Sequence, residues 1–330
     1  MSAFLKKLIL FALASALAFA IALEVWSPFG KPVKSAYINT TITYHNESVK
    51  QLPEYIQVRY NNQGFIGENY SDTITRKRIY FVGWSNTQSL FVTEGKKWTD
   101  VSLKDAGVWY NNAAADGTLI PTWCKIIKGF AHTKPDVVVA LIDPFVGMKE
   151  REKKPDGALV RLLKKSNLFS QLIIPYWHSK KEIRIGHRSV DWSALPEDTT
   201  GQTYAGVSAA DLAFVHAQLD SLNNAIATTG AYPVFISAPT PYGDFVEGAL
   251  DMGMKDKSRF TDAQYREFDQ LLNDYCSKNN CGFIPGYALP KTTRYFYDYS
   301  HFTLDGSAAF GREIGPTLET IIQKQYRTPL

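Results

Sequence analysis

The chain has 330 residues, of which 45% are hydrophobic and 21% charged, ordinary values for a globular protein that exclude a disordered, coiled-coil or low-complexity chain. Its 36 Lys and Arg against 32 Asp and Glu leave a dispersed net charge of +4. With no run of basic residues interleaved with aromatics, nucleic-acid binding is excluded as a function class. The length suits two domains or one large α/β domain equally.

Leu8 to Leu23 are sixteen consecutive uncharged, mostly apolar residues preceded by Lys6 and Lys7, the pattern of an export or membrane signal whose amino end stays in the cytoplasm. A span needs about 20 residues. Counting Val25 and Trp26, with Glu24 snorkelling at the interface, residues 8–26 reach that length. Residues 1–26 are therefore expected to be a retained signal anchor, or a removed signal peptide if cleavage follows the small residues near Ala18 to Ala22. Either route delivers the rest of the chain to the periplasmic or extracellular side. In an oxidising compartment Cys276 and Cys281 are placed to close a small disulfide loop. Cys124, between Trp123 and Ile126, reads as a buried small hydrophobe. No Cys/His spacing resembles a zinc site, and no metal or cofactor is expected.

Residues 27–77 are polar, rich in Asn, Tyr and Thr, and lack a helical period, so they read as an extended lead-in with one or two edge strands. Regular alternation begins at residue 78. Arg78 to Gly83, Val137 to Ile142, Val234 to Ala238 and Gly282 to Ile284 are short apolar runs, the mark of buried parallel strands. Between them Pro121 to Phe130 and Ser208 to Thr228 carry helical spacing, the second through Leu212, Val215, Leu219, Leu222 and Ile226. Thr261 to Lys278 opens with a capping box, and a last helix runs from Leu304 or Asp305 to about Gln325. Such alternation means βαβ units and a mostly parallel sheet covered on both faces. Residues 149–203, charged and aromatic without a period, read as an insertion at one end of that sheet, and His178 and His187, at the basic stretch Lys180 to Arg188, as solvated loop residues, the alternative being contact with an acidic substrate.

Ligands of open α/β sheets bind beyond the carboxyl ends of the strands. The first strand runs into Gly83-Trp84-Ser85-Asn86-Thr87, which places the Ser85 hydroxyl in an exposed turn before a helix. Asp298 and His301 stand three residues apart just before the last helix. That spacing lets a carboxylate orient one imidazole nitrogen while the other serves as general base.

Around these residues the chain resembles the SGNH, or GDSL-like, hydrolase family. The resemblance rests on Asn62-Gln63-Gly64-Phe65-Ile66-Gly67, on Arg78-Ile79-Tyr80-Phe81-Val82-Gly83-Trp84-Ser85, on Pro135-Asp136-Val137-Val138-Val139, and on Asp298-Tyr299-Ser300-His301-Phe302-Thr303 with Gly306. It spans residues 60–325 in the family's order. It implies a three-layer α/β/α domain over 78–330 with a mostly parallel, flavodoxin-like sheet. It also implies Ser85 as nucleophile, His301 as base and Asp298 as the residue that orients it. The acyl group of an ester would pass to Ser85 and then to water or another hydroxyl.

Three positions depart from the family pattern. Gly-Asp-Ser has become Gly-Trp-Ser at Trp84. The second block's glycine, an oxyanion donor, has Gly107 or the better-aligned Tyr110 in its place, and the third block's asparagine gives way to Asp143. A lost oxyanion donor costs about 3–4 kcal/mol of transition-state stabilisation, which Asn86, Asn111 or Asn112 is placed to make good. The expected substrate is an acyl ester, foremost an O-acetyl group on a cell-surface carbohydrate. The alternatives are an O-acyltransferase using the same residues and a catalytically idle domain that serves binding or assembly.

Overall fold

The computed structural model describes residues 37–143, 182–189, 209–239, 262–286, 289, 294–298 and 300–326, together with positions 4, 5, 7, 11, 14, 15 and 18. Those amino-terminal positions are helical. Among the described residues no helix is long and apolar enough to cross a membrane, and the expected anchor at 8–26 lies mostly outside them.

The main sheet has six strands: β3 (Ile66–Gly67), β4 (Arg78–Val82), β5 (Trp109–Asn112), β6 (Val137–Ile142), β8 (Tyr232–Ser237) and β9 (Gly282–Ile284). Their spatial order is β3-β5-β4-β6-β8-β9. β3 pairs antiparallel with β5 and every other pair is parallel. The five parallel strands thus run second, first, third, fourth, fifth in chain order, the doubly wound flavodoxin-like arrangement, and the order reverses between β4 and β6. The mixed α/β class is as the apolar runs foretold. β5, unanticipated, reads Trp-Tyr-Asn-Asn and offers no apolar run to find.

Side chains of β4 alternate between two cores. Tyr80 and Val82 join Trp123, Ile127, Leu219, Leu222 and Leu272, which belong to α3 (Ile120–Phe130), α4 (Ala209–Ala227) and α5 (Asp262–Asn279). Ile79 and Phe81 join Trp98, Phe310, Ile314 and Leu318, from α2 (Trp98–Ser102) and α6 (Leu304–Tyr326). Both faces are dry, which is why these strands read as continuous hydrophobic runs rather than alternating ones.

The lead-in is more than an extended ribbon. β1 (Thr41–His45) and β2 (Tyr55–Arg59) form an antiparallel pair, and β7 (Glu182–Arg184) adds in parallel to β1. Every second residue of β1 and β2 is buried, so the pair has one apolar face and makes a core of its own with Val49, Leu52, Ile185 and Tyr297. β7 falls within the expected insertion at 149–203, of which only 182–189 are described.

Cys276 and Cys281 are free, buried thiols rather than a disulfide. The Cys276 thiol donates to the Gly282 carbonyl at 3.4 Å. Its hydrogen bond with Cys281 and its burial push its pKa up, which holds Cys276 as a neutral thiol.

α6 lies directly on α2, and Gly311 permits it. A Cβ there would stand 2.7 Å from the Val101 Cβ and 2.8 Å from the Trp98 carbonyl oxygen. Gly311→Ala should therefore force the helices apart and cost about 1–3 kcal/mol. Urea unfolding measures this, and an unchanged midpoint would show that the α2–α6 contact yields without cost.

Candidate active site

β4 delivers the chain to the carboxyl edge at Val82, and Gly83 turns it. A side chain at Gly83 would collide with the side chain of Thr87, so the turn into α1 (Ser85–Gln88) is tight enough to need glycine. The backbone N–H groups of Thr87 and Gln88 donate to the Trp84 carbonyl at 3.0 and 2.9 Å. Ser85 opens α1 with its hydroxyl at the pocket.

The opposing loop precedes α6. A bridge between Phe296 and Phe302 closes it, and the Tyr297 N–H donates to the His301 carbonyl at 3.1 Å. Asp298 Oδ1 accepts the backbone N–H groups of Ser300 at 2.9 Å and His301 at 2.7 Å. Both Asp298 oxygens face His301 Nδ1, at 2.9 and 2.8 Å. Nδ1 therefore carries the imidazole proton, and Nε2 is left to accept from the Ser85 hydroxyl, 2.8 Å away across 216 residues of sequence. Burial works to raise the Asp298 pKa, but the hydrogen bond and charge of His301 and the two backbone N–H groups outweigh it and hold the carboxyl below its ordinary value.

Trp98 joins these two halves. Its indole N–H donates to the Asn86 carbonyl at 3.0 Å, and its backbone N–H to Ser307 Oγ at 2.8 Å. Next to it, buried Lys97 donates through Nζ to the carbonyls of Ser89 and Val92 (2.6 Å for the latter), tying down the segment that walls the pocket. Burial lowers the Lys97 pKa to about 8, against the opposing pull of Asp100 and Glu94.

The oxyanion candidates separate clearly. Asn86 lines the pocket, is 1% exposed, and neither its Oδ1 nor its Nδ2 has a hydrogen-bond partner among the described residues. Asn112 is occupied: Nδ2 donates to the Thr87 carbonyl at 2.6 Å and Oδ1 accepts from the Ala114 N–H at 3.1 Å. The Asn111 amide is engaged with Asn61 at 2.8 Å. Gly107 falls before β5, at the end of the sheet away from Ser85, and Tyr110, in mid-strand, donates its hydroxyl to Asp100 at 3.1 Å. Neither stands where the family's second block would put a donor, because the carboxyl end of β5 comes later, at Asn112. Asp143 is buried just past β6 and does not line the pocket.

His187 was read from sequence as a loop residue, yet it lines the pocket, with its ring centroid 4.4 Å from that of His301. Its Nδ1 lies 2.9 Å from the Tyr297 hydroxyl and 4.0 Å from Asp298 Oδ2. Burial, then the neighbouring His301, lower its pKa, with Asp298 and Asp116 opposing. His187, Asp298 and His301 offer ligand atoms all within 4.8 Å of one another, a donor set a metal ion accepts. In the arrangement present, both His301 nitrogens already serve Ser85 and Asp298, so a metal there would break that chain.

No family model and no curated protein sequence matches this chain. Among solved structures it is similar to TesA, with 13% identity, 74% of this chain and 99% of that one covered, and a TM-score of 0.43. It is similar also to Est24, a carbohydrate acetylesterase from Sinorhizobium meliloti, with 11% identity, 74% and 100% covered, and a TM-score of 0.45. An aryl esterase from M. smegmatis gives 13%, 76% and 99%, and 0.42. Scores of this size leave the fold to be read from the strand order and the chemistry from the site.

Because the Asp298 carboxyl is held below its ordinary value, it contributes stability that is present above the unfolded pKa and lost as pH falls through the native one. Asp298→Asn removes that contribution, so its stability should fall less steeply than that of the unaltered protein below about pH 4. Thermal unfolding across pH 2–6 reads this out; parallel acid limbs would mean that Asp298 is not ionised in the folded chain.

Proposed function

We propose that this chain is a serine esterase of SGNH type acting on short acyl esters, foremost O-acetyl groups of a cell-surface carbohydrate. The observation that carries the reading is the unbroken hydrogen-bonded series from Ser85 through His301 to Asp298 at the switch point of the sheet. In it a hydroxyl meets a base, and the base meets an orienting carboxylate.

Chemistry follows from the protonation pattern. Ser85 Oγ attacks the ester carbonyl carbon as its proton passes to His301 Nε2. The resulting imidazolium is stabilised by Asp298, which stays ionised. Collapse of the tetrahedral intermediate breaks the bond to the alcohol oxygen, and that oxygen takes the proton from Nε2 as it leaves. Water then repeats the sequence on the acyl-enzyme and restores Ser85. Transfer differs only in that a second alcohol takes the place of water.

Asn86 is the side chain best placed to stabilise the oxyanion, because its buried amide has no other partner among the described residues. An unmet buried amide costs about 1–3 kcal/mol, a cost recovered when Nδ2 meets negative charge in the transition state. The pocket beside Ser85 is shallow and open to solvent, with a volume of about 20 Å³, and a group as small as acetyl suits it.

A phosphonate ester reagent tests the nucleophile. It should label Ser85, and Ser85→Ala and His301→Ala should each abolish labelling and lower kcat by about 10⁶, with Asp298→Asn losing about 10⁴. Asn86→Ala should lower kcat by about 10²–10³. A folded protein that stays unlabelled, yet binds glycan equally well as Ser85→Ala, would establish the idle domain instead. Products from an acetylated glycan, with and without a second alcohol, separate hydrolysis from transfer.

The apolar run at residues 8–26 supports retention at the membrane with the domain on the extracytoplasmic side. Amino-terminal sequencing of the mature protein should find it intact. A start near residues 20 to 25 would identify a cleaved signal and a released enzyme.

A further inference from the structure

His187 plays no part in the steps above, yet it is held as firmly as the residues that do. Phe91 packs perpendicular to its ring at 4.9 Å, His301 lies against it at 4.4 Å, and the Tyr297 hydroxyl meets Nδ1 at 2.9 Å. Tyr297 is 1% exposed, and burial, with the charges of Asp298 and Asp116, keeps its phenol protonated. The only described partner for that hydroxyl is His187 Nδ1. The phenol proton must therefore point at Nδ1, since the reverse assignment would leave a buried O–H without an acceptor. A neutral imidazole that accepts at Nδ1 carries its proton at Nε2, and among the described residues nothing receives it.

We propose that His187 Nε2–H binds the alcohol portion of the ester, donating to the oxygen that leaves in acylation or to a hydroxyl beside it. The side of the pocket decides this role. Asn86, the oxyanion donor of the esterase reading, follows Ser85 directly in the chain, whereas the His187 ring lies tilted against that of His301, whose Nε2 returns the proton to the departing alcohol. The groups facing His187 are His301, Tyr297, Phe91 and the carboxylates of Asp298 and Asp116. Two carboxylates beside a neutral donor disfavour an anionic alcohol and favour a polyhydroxylated one, whose hydroxyls both accept and donate. This inference rests on the esterase reading and adds a subsite for the alcohol.

The test compares two acetates. p-Nitrophenol departs as a stable anion and needs little help at its oxygen, whereas a sugar alcohol is a poor leaving group. His187→Ala should lower kcat/KM for an O-acetylated monosaccharide at least tenfold more than for p-nitrophenyl acetate, and His187→Gln, whose amide N–H reaches similarly, should recover most of that difference. Equal losses on both substrates, or a glutamine variant no better than alanine while melting at the same temperature as the unaltered protein, would overturn the assignment. Phosphonate labelling of the unaltered protein keeps the two readings apart. Labelling with an unmoved substrate ratio sinks only the subsite, while absence of labelling sinks the esterase and the subsite together.

Discussion

Trp98 is the constraint on which the site depends. Its indole N–H fixes the backbone just after Ser85, its own N–H fixes the first turn of α6, and its ring fills the space between Phe81 of β4 and Phe310 of α6. A hydroxyl and an imidazole delivered by elements more than two hundred residues apart must meet within about 0.5 Å of a set geometry to react. Two hydrogen bonds and two aromatic contacts converging on one fully buried residue provide that accuracy. Lys97, adjacent in sequence, applies the same logic to the pocket wall, giving up solvation to hold two carbonyls in place.

Around the serine the molecule leaves polar groups unmet. Among the described residues, Trp84 Nε1, the Asn86 amide and Thr87 Oγ1 are all buried without partners, on three of the four residues from 84 to 87. Nearby sheet residues do the opposite, since Asn111 and Asn112 have their amides engaged. Stability is thus conceded around Ser85 and recovered one strand away, a distribution that accords with the proposed reaction, whose developing charge needs donors kept ready.

Much of this was legible in the sequence, and the reasons are specific. Strands buried on both faces read as apolar runs, so β4, β6, β8 and β9 were visible, and helical spacing marked α3, α4, α5 and α6. Ser85 and His301 stood out because each follows or precedes such an element at the edge where ligands bind. β5 was hidden, since half its residues are asparagine, and with it went the register that sends Gly107 to the wrong end of the sheet. The lead-in concealed a second small core because its strands bury only alternate side chains. His187 gave no local signal at all: it comes to the site through β7, whose three residues owe their place to pairing with β1, an interaction invisible along the chain.

The distance in sequence between serine and imidazole also sets when the site can exist. At ordinary translation speeds of about 5–20 residues per second, the 216 residues separating them take on the order of 10–40 s to emerge. Throughout that interval Ser85 is without its His301 partner, and α6, from Leu304 to Tyr326, must itself be complete before Trp98 has Ser307 to hold. A nascent or truncated chain therefore lacks the Ser85–His301 hydrogen bond, and the appearance of that contact reports that the last helix has closed the molecule.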